Sequence, residues 1–254
     1  MNGRKLVSGP LLPNYWRPPT INDEMSMVPI RKAYWRALSY SAPKATVKVE
    51  SKDERQAVVS ASSLLPLGNG WRKVVYTVTA DGRVKVESSL NVIDPLLPTL
   101  PRVGMQMKVP AELTEIRWYG RGPHENYADR NTGALVGLYS ATIDEFFFQY
   151  VVPEECANRT DVRWMTLTAP DGFGLRVVGD LPLSMSAWPY DMIDLEKAQH
   201  INELKKRESI TLNIDQAQMG VSGDIPGVTW AFKEYRLQPG AYRYTFTMEA
   251  LAAN

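Results

Sequence analysis

Residues 118–130 read WYGRGPHENYADR, with His124 beside Glu125, Asp129 four residues on, and Arg130 closing the run. A histidine titrates near neutral pH, so His124 and Glu125 together have the residue types of a proton-transferring acid and base. Carboxylates are also adjacent at Glu154-Glu155 and Asp144-Glu145. Paired acids suit hydrolytic chemistry only when they face each other across a bond, and neighbours in one loop are more often solvated. The other residues of the run favour a scaffold. Gly120 and Gly122 permit a turn that other residues resist, and Pro123 stiffens it. Asn126 can bond to backbone amides. Tyr127 can bury its ring while its hydroxyl finds a partner. Asp129 and Arg130 are adjacent, so each is expected to pair with some other group. Ligand contact from this run would fall to His124 and Glu125.

The elements that must hold such a loop read as β almost throughout. Residues 73–93 alternate apolar and polar on both sides of Asp81-Gly82, and residues 164–179 do so around Asp171-Gly172. An Asp-Gly pair between alternating runs predicts a two-residue hairpin turn. A third hairpin is predicted across 238–241, joining 234–237 to 242–249. Residues 47–49, 57–60, 105–109, 115–119 and 210–215 are further short strand candidates. Helix signals are confined to 191–206, where Asp191 can cap and Leu195, Ala198 and Ile201 share a face, and to a shorter stretch around 30–38. Pro10, Pro13, Pro18 and Pro19 make residues 9–24 an extended wrap rather than a regular helix.

Composition sets bounds. The chain has 254 residues, 44% of them hydrophobic, which is ample for one large core. Lys and Arg total 29 against 28 Asp and Glu, with no basic stripe, so neither nucleic acid nor an anionic membrane is an expected partner. Cys156 is alone, which excludes an intrachain disulfide and a cysteine cluster for zinc, and reads as a buried apolar filler. His124 and His200 have no metal-ligand spacing. There is no apolar stretch of transmembrane length and no secretory h-region at the start. The compartment is therefore not legible.

The run Gly122, Pro123, Glu125, Asn126, Tyr127, Asp129, Arg130 resembles the GPxENYxDR signature of the small-chain domain of beta-galactosidases, the C-terminal domain of large family 2 glycoside hydrolases. The resemblance extends over nearly the whole chain. Arg17, Pro19, Asn22 and Asp23 match an RxPxDND pattern, with Ile21 in place of its first acid, a departure that puts that loop's usual polar contacts in question. Tyr150, Pro153, Glu155, Asn158, Arg159 and Arg163 match YxxPxExGxRxxxR, with Ala157 where glycine is common. Leu195, Ala198, His200 and Leu204 fit a DLxxAxH segment. Residues 212–224 are similar to LNxDxxxxGxGGD, with Ser222 replacing a glycine and Asp224 retained.

The resemblance implies an all-β, mostly antiparallel, galactose-mutarotase-like supersandwich with one or two short helices. It implies a single domain over residues 1–254, a fragment without its first strands. The family's catalytic glutamates belong to a (β/α)₈ barrel, so no catalytic residue is assigned to this chain, and the barrel is its expected partner. A β-galactoside in the assembled enzyme is the expected substrate, and a homo-oligomer is a further possible partner. The family commonly uses Mg and Na held mainly by other domains, so no cofactor and no metal is assigned here. In the family a tryptophan soon after the Gly-Asp pair stacks on the sugar. Here Trp230 follows Asp224 at a longer spacing, so it serves as a platform only if the loop bends differently, and is otherwise a core residue. The sugar-contact candidates are therefore Asp224, Trp230, His124 and Glu125. The alternative is a free-standing carbohydrate-binding or aldose-epimerase-like module, in which an acid–base pair would converge in the concave sheet.

Overall fold

The structure is a computed structural model that describes residues 3–41, 43–223, 225 and 231–253. Its strands are β1 (Gly9–Asn14), β2 (Thr46–Lys52), β3 (Gln56–Leu64), β4 (Gly70–Thr79), β5 (Val84–Val92), β6 (Arg102–Pro110), β7 (Glu115–Gly122), β8 (Leu135–Thr142), β9 (Arg159–Thr168), β10 (Gly174–Trp188), β11 (Ser209–Gln218) and β12 (Ala241–Leu251). All belong to one sheet, whose main path runs β1-β6-β11-β10-β12-β5-β4-β3-β2, with β9, β7 and β8 extending from β10. Every pairing among the described strands is antiparallel. The expected class, all-β and mostly antiparallel with short helices, is the observed one.

β10 is the branch point. Its first half, Gly174 to Gly179, pairs with β12 and β9. Its second half, Ser184 to Trp188, pairs with β11, while β9 follows it past a register shift between Val178 and Leu183. One strand thus belongs to both halves of the sheet. The main core collects inward residues from many strands, among them Met105, Trp118, Val162, Val177, Met185, Leu212, Ile214 and Phe246. A second cluster seats Trp35 and Leu38 on Leu90, Val92 and Val103.

Both Asp-Gly turns are present, but with one residue more than predicted. Thr79 N donates to Arg83 O and Gly82 N to Thr79 O, so Ala80, Asp81 and Gly82 form a three-residue loop. Ala169, Phe173 and Gly172 repeat these bonds around Pro170, Asp171 and Gly172. Only the glycine of each pair takes positive φ, 85° in both cases. A type I turn closed by a left-handed glycine needs one such residue, whereas the two-residue turn needs two. The third predicted hairpin is absent among the described residues. Residues 233–235 form a 3-10 turn, Leu237 bridges Leu100, and β12 pairs instead with β5 and β10.

The helices are shorter than their patterns. α2 (Val28–Arg31) and α3 (Ala33–Tyr40) divide the region where one helix around 30–38 was expected, and α1 (Ile21–Met25) begins inside the segment expected to be extended. α4 (Ile143–Phe146) carries a capping box from Thr142. α5 (Met192–Lys197) starts on the Asp191/Asp194 capping box as predicted, but Ala198 is extended, and the remainder to 206 is a 3-10 turn and coil. Residues 9–24 run as an extended strap only as far as Thr20, where α1 begins, and the strap is not a surface wrap, since Asn14, Tyr15, Trp16 and Arg17 are buried.

Leu212 of β11 is fully buried in the main core. Leu212→Ala is expected to lower unfolding free energy by about 2–5 kcal/mol, measured by urea denaturation. A loss below about 1 kcal/mol would show that β11 lies outside the cooperative core.

Candidate functional site

The 118–130 run turns at the end of β7 through a cis Gly122-Pro123 peptide. Asn126 stitches it to the start of β9. Asn126 N donates to Asn158 O at 2.8 Å, and its Oδ1 accepts from Thr160 N at 2.9 Å and Thr160 Oγ1 at 2.6 Å. Asn158 Nδ2 donates back to Asn126 O at 2.8 Å. A buried amide with its bonds satisfied fixes position strongly, because leaving any of them unmade would be costly. Arg159 Nε donates to Pro123 O at 3.1 Å, and its guanidinium lies 5.2 Å from the Trp118 ring and 4.1 Å from the Phe146 ring. Burial lowers this guanidinium's pKa to about 10.

Glu125 turns inward. Its Oε1 accepts from Arg130 Nη2 and from the Tyr150 hydroxyl, each at 2.5 Å, and its Oε2 accepts from Ala157 N at 2.7 Å. Burial and this carboxylate raise the Tyr150 phenol to about 12. His124 is exposed, and its carbonyl accepts from Asn126 Nδ2 at 3.0 Å. The two residues with acid–base potential therefore do not converge: the carboxylate of Glu125 is committed to three donors while its histidine neighbour faces solvent. His200 is likewise exposed and pairs with Glu203 at 3.2 Å. Tyr127 buries its ring as expected, but its buried hydroxyl has no hydrogen-bond partner among the described residues, contrary to the expectation from its sequence. Cys156 is buried, and desolvation holds its thiol pKa well above the usual value, which suits a filler rather than a nucleophile.

Asp129 and Arg130 do pair with other groups. Asp129 Oδ2 accepts from Ser222 N at 2.8 Å. The strap reaches the same place. Arg17 makes a two-pronged bond to Asp23, 3.0 Å on each arm, and donates to Met219 O at 2.6 Å and Gly220 O at 3.0 Å. Asn22 Nδ2 reaches Val221 O at 3.0 Å, and Ile21 N donates to Glu154. The strap keeps its polar contacts although Ile21 replaces an acid, because Ile21 uses its backbone and leaves its side chain half exposed. Two separate motifs thus meet at residues 219–222, the stem of the 223–230 loop.

Beneath them lies a buried charge cluster that sequence reasoning did not single out. Arg102 Nη2 donates to Glu155 at 2.8 Å, Nη1 to Asn213 at 2.8 Å, and Nε lies 3.2 Å from Asp215. All three charged side chains are 0% exposed. Gln218 Nε2 links Glu155 to Asn158 at 3.1 and 3.0 Å. Gly104 leaves room for Asp215: a Cβ there would sit 1.8 Å from its carboxylate oxygen. Two carboxylates around one guanidinium cannot both be neutralised, and burial raises the pKa of both, Asp215 to about 8.

A profile of the family described as Beta galactosidase small chain matches residues 1–248. The chain belongs to the beta-galactosidase small-chain family. A beta-galactosidase of Priestia megaterium is 35% identical over 250 residues, covering 97% of this chain and 24% of its own length. One of Vibrio cholerae is 32% identical over 267 residues, covering 100% and 25%. Beta-galactosidase BgaC of Bifidobacterium adolescentis is 34% identical over 231 residues, covering 87% and 22%. The small-chain sequence thus spans about a quarter of the length of these curated relatives. Among solved structures, galactose 1-epimerase from Lactobacillus acidophilus is similar at a TM-score of 0.48 and 11% identity, over 81% of this chain and 66% of that one. A GalM/aldose epimerase homologue from C. elegans is similar at 0.45 and 11%, over 82% and 69%.

Of the small-chain sugar-contact candidates, His124 and Glu125 stand together at a surface cavity, while Asp224 and Trp230 lie outside the described residues. Among the described residues, no group of three or more His, Cys, Asp or Glu side chains is arranged to hold a metal ion, and no helix is long and apolar enough to cross a membrane.

The Asp215 carboxyl holds a proton in the folded chain that the unfolded chain releases above about pH 4. The stability that this group contributes therefore falls as pH rises from about 4 to about 8 and is lost above that range. Asp215→Asn keeps the shape and removes the titration. It is expected to flatten the dependence of Tm on pH between about 4 and 8, measured by calorimetry. An unchanged slope would assign the proton to another group.

Proposed function

We propose that this chain is a non-catalytic C-terminal domain of a beta-galactosidase-like glycoside hydrolase. In this reading the parent hydrolyses terminal β-D-galactosides with retention, and a separate (β/α)₈ barrel, the domain's partner, carries the chemistry. The domain shapes the rim of the active site and supports assembly.

The observation that carries this reading is the state of the motif carboxylates. Glycoside hydrolysis with retention calls for two carboxyl groups about 5–5.5 Å apart on either side of an accessible bond. Glu155 and Asp215 share Arg102 in a fully buried cluster, and both oxygens of Glu125 accept hydrogen bonds. These carboxylates hold loops together. The quarter share of relatives named beta-galactosidase agrees with a domain of a larger enzyme. The rim role is supported by the stem of the 223–230 loop, which Asp129, Asn22 and Arg17 fix from three sides.

Two measurements test the proposal. The purified chain is expected to show no turnover of a chromogenic β-galactoside above the buffer rate, and robust turnover would overturn the non-catalytic role. In the full-length enzyme, Trp230→Ala is expected to change aglycone or acceptor preference by about tenfold, the worth of one ring contact, while Tm is retained. Lost folding with an unaltered preference would instead place Trp230 in the core.

A further inference from the structure

A cavity of about 500 Å³ opens between the signature loop and the segment after α4, lined by His124, Asp129, Arg130, Asn131, Phe148 and Tyr150 among others. Its volume lies within the range of small-molecule sites, about 300–1,000 Å³. Phe148 is 51% exposed. Its ring is held 4.5 Å from that of Tyr150, at 52°. An exposed, immobilised ring offers an apolar face, and the planar polar side chains beside it offer directed donors and acceptors.

The polar lining is prearranged and incompletely used. Glu125 clamps both Arg130 and Tyr150 from below, so neither has to be ordered by a ligand. Arg130 spends only Nη2 on Glu125 and Tyr150, leaving Nε and Nη1 without an acceptor among the described residues. Asp129 gives one oxygen to Ser222 N, and its other oxygen is buried with no donor among the described residues. Asp129 therefore acts on the cavity through its charge rather than as an acceptor for a ligand. Charge also selects the ligand. Glu125 neutralises Arg130, and Asp129 adds a negative charge, so the lining has no excess of positive charge to attract an anion.

We propose that this cavity binds a neutral pyranose. One apolar face of the sugar lies on Phe148, and its hydroxyls bond to Arg130, Asn131 and His124. Glu125 is a positioning residue that makes no contact with the sugar. The site stands on this geometry alone, whether or not the domain proves non-catalytic.

The test uses the purified chain with methyl β-D-galactopyranoside as probe, followed by saturation-transfer NMR and titration. Saturation transfer to the sugar ring protons is expected, with a Kd in the millimolar range. Phe148→Ala should weaken binding about tenfold and Phe148→Tyr should keep it, since one ring contact is at stake. Phe148 is half exposed, so Tm should be unchanged in both variants. No saturation transfer to the sugar would overturn the proposal. So would equal affinity in Phe148→Ala, or equal binding of glycerol at the same concentration. The hydrolysis assay of the preceding section reads a different property, so the two readings fail separately.

Discussion

One guanidinium, that of Arg102, sits with no solvent exposure between Glu155 and Asp215, and the rest of the polar scaffold builds outward from it. Arg102 opens β6, Asp215 lies in β11, and Glu155 precedes β9. Through Gln218 the cluster reaches Asn158, and through Asn158 it reaches Asn126 of the signature loop. Arg17 and Asp23 form a second buried pair, tied to the carbonyls just past β11. Removing one member of a buried pair typically costs about 3–5 kcal/mol, because the partner charge is stranded. Such networks contribute less to net stability than to uniqueness. They specify where three loops sit relative to one sheet.

The signature residues are therefore read best as a joint. Glu125 could have been a base from its type and its neighbour, yet its oxygens meet Arg130, Tyr150 and the Ala157 amide. The same commitment fixes Arg130 and Tyr150 at a surface cavity, so a structural carboxylate and an ordered cavity wall are consequences of one arrangement.

Much of the fold was legible from local pattern. Alternation placed β4, β5, β6, β7 and β11, and the Asp-Gly pairs placed two turns. What failed depended on distant partners or on fine geometry. The length of those turns hinged on whether one or two residues take positive φ, and the residue pair permits either. The helix over 191–206 stopped after Lys197 although the apolar spacing continued. β8 was missed because neither face alternates cleanly, with Leu135, Val136 and Leu138 all exposed. Arg102 was overlooked for a simple reason: its carboxylate at Glu155 is 53 residues away and its amide at Asn213 is 111, so no spacing rule connects them. The best available signal was a charged residue directly ahead of an apolar strand. The Tyr127 hydroxyl was expected to find a partner and has none among the described residues.

The stem of the 223–230 loop has a further consequence. Ser222 is held by Asp129 at one end, and the carbonyl of buried Ala231 accepts from Arg236 Nε at 2.6 Å at the other. Both anchors lie outside the segment they bracket. The frame that brackets the segment is therefore built from residues remote in the chain on one side, at Asp129, and close by on the other, at Arg236.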